Sequence, residues 1–431
     1  MRLIKYLLIM FLLVINIGYT DDVFDELLQA AYSEAKEDRQ DDLFVMALTA
    51  FNDGIYYIAR KNGEKFLKQY RRKDYKREMI IYMLSIIYYK NKDYRNLRRH
   101  FRKYHDQVSL STAQKMFQFI NNYLIRKKRY KEARRLRDKY SYLFVKPKPF
   151  KILNEKLKLF KPNVNIFKLK EEIYIGQTEL YVIKSRVTSL PVVAKYLDMG
   201  YDEMKYANPY INPLDIRRGD VIFVPRRRLL PKIDFRVGTI YLNLGEKRLY
   251  YPVRDDDGKI LVITIPVGIG TDENKSPVGV FRISEKRKNP EWRVPKSIRE
   301  ENPELPEVVP PGPNNPLGTR AMRLGRTTYL MHGTSKRFGI GMRVSHGCIR
   351  MYNKDVEKLF EVVKIGTKVV STEQDYKYFV RSRKVYIEIH NLTSKQLRGL
   401  LRQLRKLGAR LDPSLIRFIS RQYRATLVIL K

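Results

Sequence analysis

Residues 22–145 hold almost no glycine or proline, whereas residues 235–372 are rich in both, and no single fold accommodates the two compositions. In the first stretch apolar residues recur at helical spacing, in Phe24, Leu27, Leu28 and Ala31 and again through Ile80–Tyr89. In the second, β-branched residues alternate through TIYLNLGEKRLYYPV and ILVITIPVGIG, with DDDGK as the turn between them. A helical N-terminal region over 22–145 and a mainly-β domain over 235–372 are expected. The chain of 431 residues exceeds what one hydrophobic core organises, so the fold class is multidomain α+β.

Asn91–Asp93 and Lys127–Arg129 read as turns between helices, each followed by an aromatic residue. The segments NKDYRNLRR and KKRYKEARR are like a helical-hairpin repeat of the tetratricopeptide type; a non-repeating bundle is the alternative. Lys146–Pro149 and Lys161–Pro162 predict a linker. Over 174–228 the pattern is strand (ELYVIKS), two helices (LPVVAKYLDMG and YDEMKYANP) and strand (DVIFVP). Residues 376–431 predict a small α/β appendage: strand KVYIEIH, an amphipathic helix capped by Ser394 and stopped by Gly408, a second helix and a closing strand.

The charge balance restricts partners and the chain start restricts compartment. Lys and Arg number 86 against 46 Asp and Glu, a net charge of +40, which attracts nucleic acid, an acidic membrane face or an anionic envelope polymer. The runs Arg71–Lys73, Arg126–Arg129 and Arg226–Arg228 are each expected to be solvated surface. Arg2 and Lys5 flank an apolar run from Tyr6 to Tyr19, followed by Asp21, Asp22, Asp25 and Glu26. That order reads as a secretory signal over residues 1–20, with Gly18 and Thr20 near the cleavage point. The run is shorter than the roughly 20 apolar residues of a spanning helix; an uncleaved anchor is the alternative. Export argues against nucleic acid. The chain has one cysteine, Cys348, so no intrachain disulfide can form, and a lone thiol in an oxidising compartment calls for a chemical use.

The chemistry concentrates in YLMHGTSKRFGIGMRVSHGCIRM, Tyr329–Met351. A strand Tyr329–Met331 delivers His332 at its end, and a loop with Gly333, Gly339 and Gly341 returns the chain to Ser345, His346, Gly347 and Cys348. A thiol needs a neighbouring imidazole as base, and the imidazole needs an orienting group. No acid stands at an obvious spacing, so a backbone carbonyl near Gly333 is the candidate orienter. Arg350 can grip a substrate carboxylate as a planar fork. Backbone N–H groups of Gly347 and Cys348 can hold an oxyanion. On residue types alone, catalysis, a metal site from His332, His346 and Cys348, and a structural role all stay open.

HGT…SHGCIRM resembles the signature of the L,D-transpeptidase, or YkuD-domain, family. The likeness extends through PVGIGTDENKSPVGVFRI, NPEWRVPKSIREENPELPEVVPPGPNNPLG and YNKDVEKLFEVVKIGTKV, covers 235–372, and looks like the periplasmic Gram-negative branch. The resemblance implies that Cys348 is the nucleophile, His332 the proton acceptor and Gly333 the orienting carbonyl. It places Ser345, His346, Gly347 and Arg350 against substrate, although many members carry Asn at the position of Arg350. It implies no cofactor and no metal. It also implies the reaction, in which the thiolate attacks the diaminopimelate–D-Ala bond of a peptidoglycan tetrapeptide stem. The thioester acyl-enzyme then passes to an amine, giving a 3–3 crosslink or attachment to an envelope lipoprotein lysine. The alternatives are an L,D-carboxypeptidase using water and a non-catalytic peptidoglycan-binding scaffold. Residues 174–228 are similar to a LysM module, a βααβ fold that binds N-acetylglucosamine-containing glycan, on YVIK, Asn208-Pro209 and IRRGDVIFVP. Ser185–Leu190 stands where that family has Gly-Asp-Thr-Leu, so a spacer role is the alternative.

Overall fold

The computed structural model describes residues 39–169, 173–185, 187–231, 235–336, 338–381, 384–390, 392–407, 412–422 and 427–430. The signal expected over 1–20 and the helical residues Phe24–Ala31 lie outside them. Among the described residues no helix is long and apolar enough to cross a membrane. The chain divides into two compact units, Met1–Ile87 and Tyr88–Lys431.

In the first unit, helices Arg39–Asn52 and Tyr56–Gln69 pack with the helix that begins at Tyr75. Phe44, Leu48, Phe66, Met79 and Met83 are buried there. Arg77 Nη1 donates to the Tyr70 carbonyl at 2.5 Å, placing a cation at the negative end of the second helix.

The second unit opens with helices Tyr94–Tyr104, Leu110–Arg126 and Tyr130–Lys139. The two expected turns are tight because Lys92 and Lys128 adopt positive φ, 56° and 57°. Asp93 then accepts from the Asn96 N–H at 3.1 Å and caps the first helix. The helix Leu110–Arg126 is almost wholly buried and uses amides where a core helix would use alkyl groups. Those amides bond to a βααβ unit made of strands Thr178–Val182 and Val221–Pro225 and helices Leu190–Tyr196 and Tyr201–Ala207. Gln118 Nε2 donates to Asn208 Oδ1 (2.6 Å), Asn122 exchanges two hydrogen bonds with Val221 (2.9 and 2.7 Å), and Arg126 reaches both oxygens of Asp220 at 2.9 Å.

The β-rich region is built on nine strands that form two connected sheets. Ile166–Lys168, Ile260–Pro266, Arg248–Arg254 and Thr239–Asn243 run antiparallel in that order, and Lys368–Thr372 then pairs parallel to Thr239–Asn243. The long strand Gly279–Lys288 serves both sheets. Its first half pairs with Lys368–Thr372, its second half with Arg320–Leu324, and the register shifts between Ile283 and Glu285. Such a shift bends a strand, which lets it turn the corner between two packed layers. Leu330–His332 and then Ile349–Arg350 complete the second layer. Ile240, Leu249, Ile263, Ile283, Met331 and Ile349 fill the space between the layers.

Three expectations need correction here. The segment read as a linker is part of the β-rich fold: Ile152, Leu157 and Phe160 lie in its core, and Ile166–Lys168 is its edge strand. The run Arg226–Arg228 is not solvated throughout, because Arg226 and Arg228 are buried at 3% and 4% exposure. The helix Ser394–Lys406 is capped by Thr393, whose hydroxyl accepts from the Gln396 N–H at 3.3 Å while Gln396 reaches back to the Thr393 N–H at 2.7 Å. Gly408, expected to stop that helix, lies outside the described residues.

The burial of Arg228 has a cause. With Arg248 and Lys377 it faces Glu203, Glu246 and Glu388, three cations against three carboxylates, at the junction of the βααβ unit, the β-rich region and the appendage. Lys377 Nζ lies 2.9 Å from Glu246, 3.2 Å from Glu388 and 2.5 Å from the Leu229 carbonyl. Burial raises the Glu203 carboxyl, but Arg228 and Arg248 overcome it and hold it at about 2.

Candidate active site

The strand Leu330–His332 and the strand Ile349–Arg350 run parallel, with His332 beside Arg350 and Met331 beside Ile349. In that register Cys348 falls beside Leu330, two residues along from His332, so the alternation of side chains puts both on one face of the sheet, and they open into one cleft of about 670 Å³. Ser345, His346 and Arg350 line it as well, opposite Trp292, Ile298, Glu301 and Leu305. The opposing wall is a short hairpin, Trp292–Arg293 with Val308–Val309, enclosing the helix Lys296–Glu301. His346 Nε2 meets Glu301 Oε2 at 3.0 Å and ties the two walls together.

His332 is buried at 3% exposure, and its Nδ1 lies 2.6 Å from the Gly333 carbonyl. A carbonyl only accepts, so Nδ1 carries the proton and Nε2 is the basic nitrogen. Burial and the Arg350 cation depress the ring to about 4, against the favourable carbonyls of Gly333 and Leu317. Cys348 moves the other way: burial raises its thiol, although the Leu330 N–H (3.4 Å from Sγ) and Arg350 pull it down. At neutral pH the resting pair is therefore thiol and neutral imidazole. For such a pair to act as nucleophile and base, proton transfer would have to accompany attack. The position of Arg350 fits that step, since its charge disfavours imidazolium in the ground state and favours the thiolate as it forms.

The turn that presents Cys348 is held by two serines. Ser345 Oγ donates to the Cys348 carbonyl at 2.6 Å and accepts from the Gly347 N–H at 3.2 Å. Ser276 Oγ donates to the Gly347 carbonyl at 2.8 Å and accepts from the Gly270 N–H at 2.9 Å. Gly347 sits at φ 98°, and a Cβ there would stand 2.5 Å from the Tyr329 ring. This geometry corrects one expectation: the Gly347 N–H is turned onto Ser345 and does not face an oxyanion. The Ser345 hydroxyl, expected against substrate, has its only proton committed to the turn.

A residue that sequence reasoning passed over also supports the site. Asn353 Oδ1 accepts from the Thr334 N–H at 2.9 Å, and the same oxygen would stand 2.1 Å from a Cβ on Gly333. Asn353 thus fixes the carbonyl that orients His332. Gly341, at φ 82°, lets the glycine loop touch the βααβ unit, where the Tyr201 and Asp202 N–H groups donate to the Ile340 and Gly341 carbonyls at 3.0 and 3.3 Å. Asn353→Ala is expected to lower the acylation rate of Cys348 by about 10²-fold while leaving thiol titration intact, as for a loss of alignment near the reacting atoms. Asn353→Asp keeps the accepting oxygen and should retain most of the rate; equal losses in both variants would remove this positioning role.

The metal alternative is weakened by the same geometry. Among the described residues the one set of three donor groups within 4.8 Å is Glu246, Glu388 and His390, not His332, His346 and Cys348. The Lys377 ammonium already stands between the first two.

A two-layer β fold with a thiol and a neutral imidazole in one cleft has the layout of an acyl-transferring enzyme, and the comparisons with known proteins agree on a transferase. Residues 238–370 match the profile of the YkuD domain, described as the L,D-transpeptidase catalytic domain. Three Escherichia coli (strain K12) proteins are similar: probable L,D-transpeptidase YcfS is 40% identical over 45% of this chain and 62% of its own length. Probable L,D-transpeptidase YbiS is 36% identical over 50% of this chain and 71% of its own length. Probable L,D-transpeptidase ErfK/SrfK is 34% identical over 58% of this chain and 80% of its own length. The chain belongs to the L,D-transpeptidase family.

Proposed function

We propose that this chain is a peptidoglycan L,D-transpeptidase in which Cys348 is the nucleophile and His332 the base. The observation that carries the reading is the meeting of Cys348, His332 and Arg350 in one cleft over one face of two parallel strands. In the first half-reaction Sγ bonds to the diaminopimelate carbonyl carbon while His332 Nε2 takes the thiol proton. The tetrahedral intermediate collapses, His332 returns the proton to the departing amine, and D-alanine leaves with a thioester behind. In the second half an amine attacks the thioester, gives up a proton to His332, and releases the thiol. The acceptor is a stem side-chain amine or an envelope lipoprotein lysine; water in its place makes the enzyme an L,D-carboxypeptidase.

The remainder of the proposal follows from the same reading. Residues 1–20 export the chain to the periplasm, and the +40 charge favours anionic envelope polymers. The βααβ unit is LysM-like but serves the catalytic domain as a docked support through Tyr201 and Asp202.

The test is intact mass of the full-length protein after incubation with a tetrapeptide-stem muropeptide or a carbapenem, beside Cys348→Ala. An adduct on the wild type that is absent from Cys348→Ala is the expected result. A folded wild type with a titratable thiol and no adduct would sink the enzyme reading and favour a peptidoglycan-binding scaffold.

A further inference from the structure

The helix Tyr94–Tyr104 carries Arg95, Arg98, Arg99, Arg102 and Lys103, and no carboxylate. Its other face is apolar and aromatic, with Leu97, Phe101 and Tyr104 buried. The turn at Arg129 adds a sixth cation, and together with the Tyr94 ring these residues wall a groove of about 620 Å³. Among the described residues Glu132 is the one carboxylate paired with these cations, 2.5 Å from Arg129 and 3.9 Å from Arg98. Among the described residues Arg95, Arg99, Arg102 and Lys103 have no acidic partner.

A solvated cationic face is the plain reading of such a helix, and two features argue against it. The cations surround a concavity, where like charges raise one another's energy in a way that a convex face avoids. In addition, the Tyr94 hydroxyl and Arg98 Nε are buried without a hydrogen-bond partner, a state that costs about 1–3 kcal/mol for each group. An anion in the groove would relieve the repulsion among the cations.

We infer that this groove binds phosphate groups. Arg95, Arg98 or Arg99, and Arg102 recur at helical spacing and form a stripe about 10 Å long. Guanidinium forks grip two oxygens each, and a phosphate offers three or four oxygens with a charge of up to about −2 where a carboxylate offers two and −1. Six convergent cations match the former. The phosphate can belong to a lipid headgroup or to a soluble phosphorylated ligand.

The test compares three full-length proteins: wild type, Arg98→Gln/Arg99→Gln/Arg102→Gln, and a control, Lys61→Gln/Lys65→Gln/Lys68→Gln, that removes the same charge from the helix Tyr56–Gln69. Pyrophosphate is titrated by calorimetry at about 0.15 M salt, and vesicles of phosphatidylcholine with and without phosphatidylglycerol are used in co-sedimentation. Loss of about 10-fold or more in affinity in the arginine variant alone is expected, for at least one probe. Loss toward pyrophosphate identifies a soluble ligand; loss confined to phosphatidylglycerol vesicles identifies the lipid headgroup. Equal losses in the two variants, or no binding of either probe by the wild type, would overturn the site.

Discussion

His332→Gln should slow acylation of Cys348 at pH 7 by about 10²–10⁴-fold, the usual contribution of a positioned general base, and should also change the shape of the pH profile. In the wild type the reactive protonation state is thiol plus neutral imidazole, or the equivalent thiolate plus imidazolium. That state persists from the His332 value of about 4 up to the raised thiol value, so the rate should be level across pH 6–8 and fall only as pH drops toward 4. Without the imidazole only free thiolate attacks. Because the thiol is raised above its ordinary value, thiolate is a small minority at pH 7, and the variant's rate should climb about tenfold per pH unit. Stopped-flow acylation by a carbapenem over pH 5–9 measures both profiles. A level profile in His332→Gln would show that another group takes the proton. The same depressed histidine gives a stability signature. The unfolded chain binds a proton near pH 6.5 that the native site refuses, so stability is complete above that value and declines as pH falls toward about 4, by at most about 3 kcal/mol.

How much of this was legible in the sequence depended on distance along the chain. Cys348, Ser345 and Gly347 lie within four residues of one another, and His332 is the end of a strand whose alternation is plain, so the thiol turn and the histidine that shares its cleft could be read directly. Asn353 and Ser276 could not. Each acts on a site residue through a contact that exists only after folding, Asn353 Oδ1 at Thr334 and Ser276 Oγ at Gly347, the latter 71 positions away. The Gly347 N–H was misjudged for a related reason: residue type places a donor near the thiol, but only the turn geometry reveals that Ser345 already accepts from it.

Charge was the other blind spot. A run such as Arg226–Arg228 looks solvent-facing because isolated cations are rarely buried. What buries Arg228 is a set of carboxylates at Glu203, Glu246 and Glu388, scattered over 185 positions and joined only where three modules meet. The same holds for the supposed linker, whose Ile166–Lys168 finds its partner strand in Ile260–Pro266.

Lys377→Met should destabilise the protein by about 3–5 kcal/mol, the cost of leaving buried charges unmatched. Lys377 is about 1% exposed and is the shared partner of Glu246 and Glu388, both also buried. Methionine is similar in size and fills the space, so the loss is electrostatic and not a cavity effect. The sole tryptophan, Trp292, stands in the cleft wall, and its fluorescence reports unfolding of the catalytic domain in urea. Combining Lys377→Met with Glu388→Gln removes one charge from each side, leaving Arg228 and Arg248 with Glu203 and Glu246, and should recover most of the loss, since a buried ion pair contributes little over a neutral set. A single variant that loses under about 1 kcal/mol would mean the carboxylates reach water or take up protons without penalty. A double variant no better than the single would mean that the hydrogen bonds of Tyr250 and the Leu229 backbone to this network, and not its charge balance, hold the three modules together.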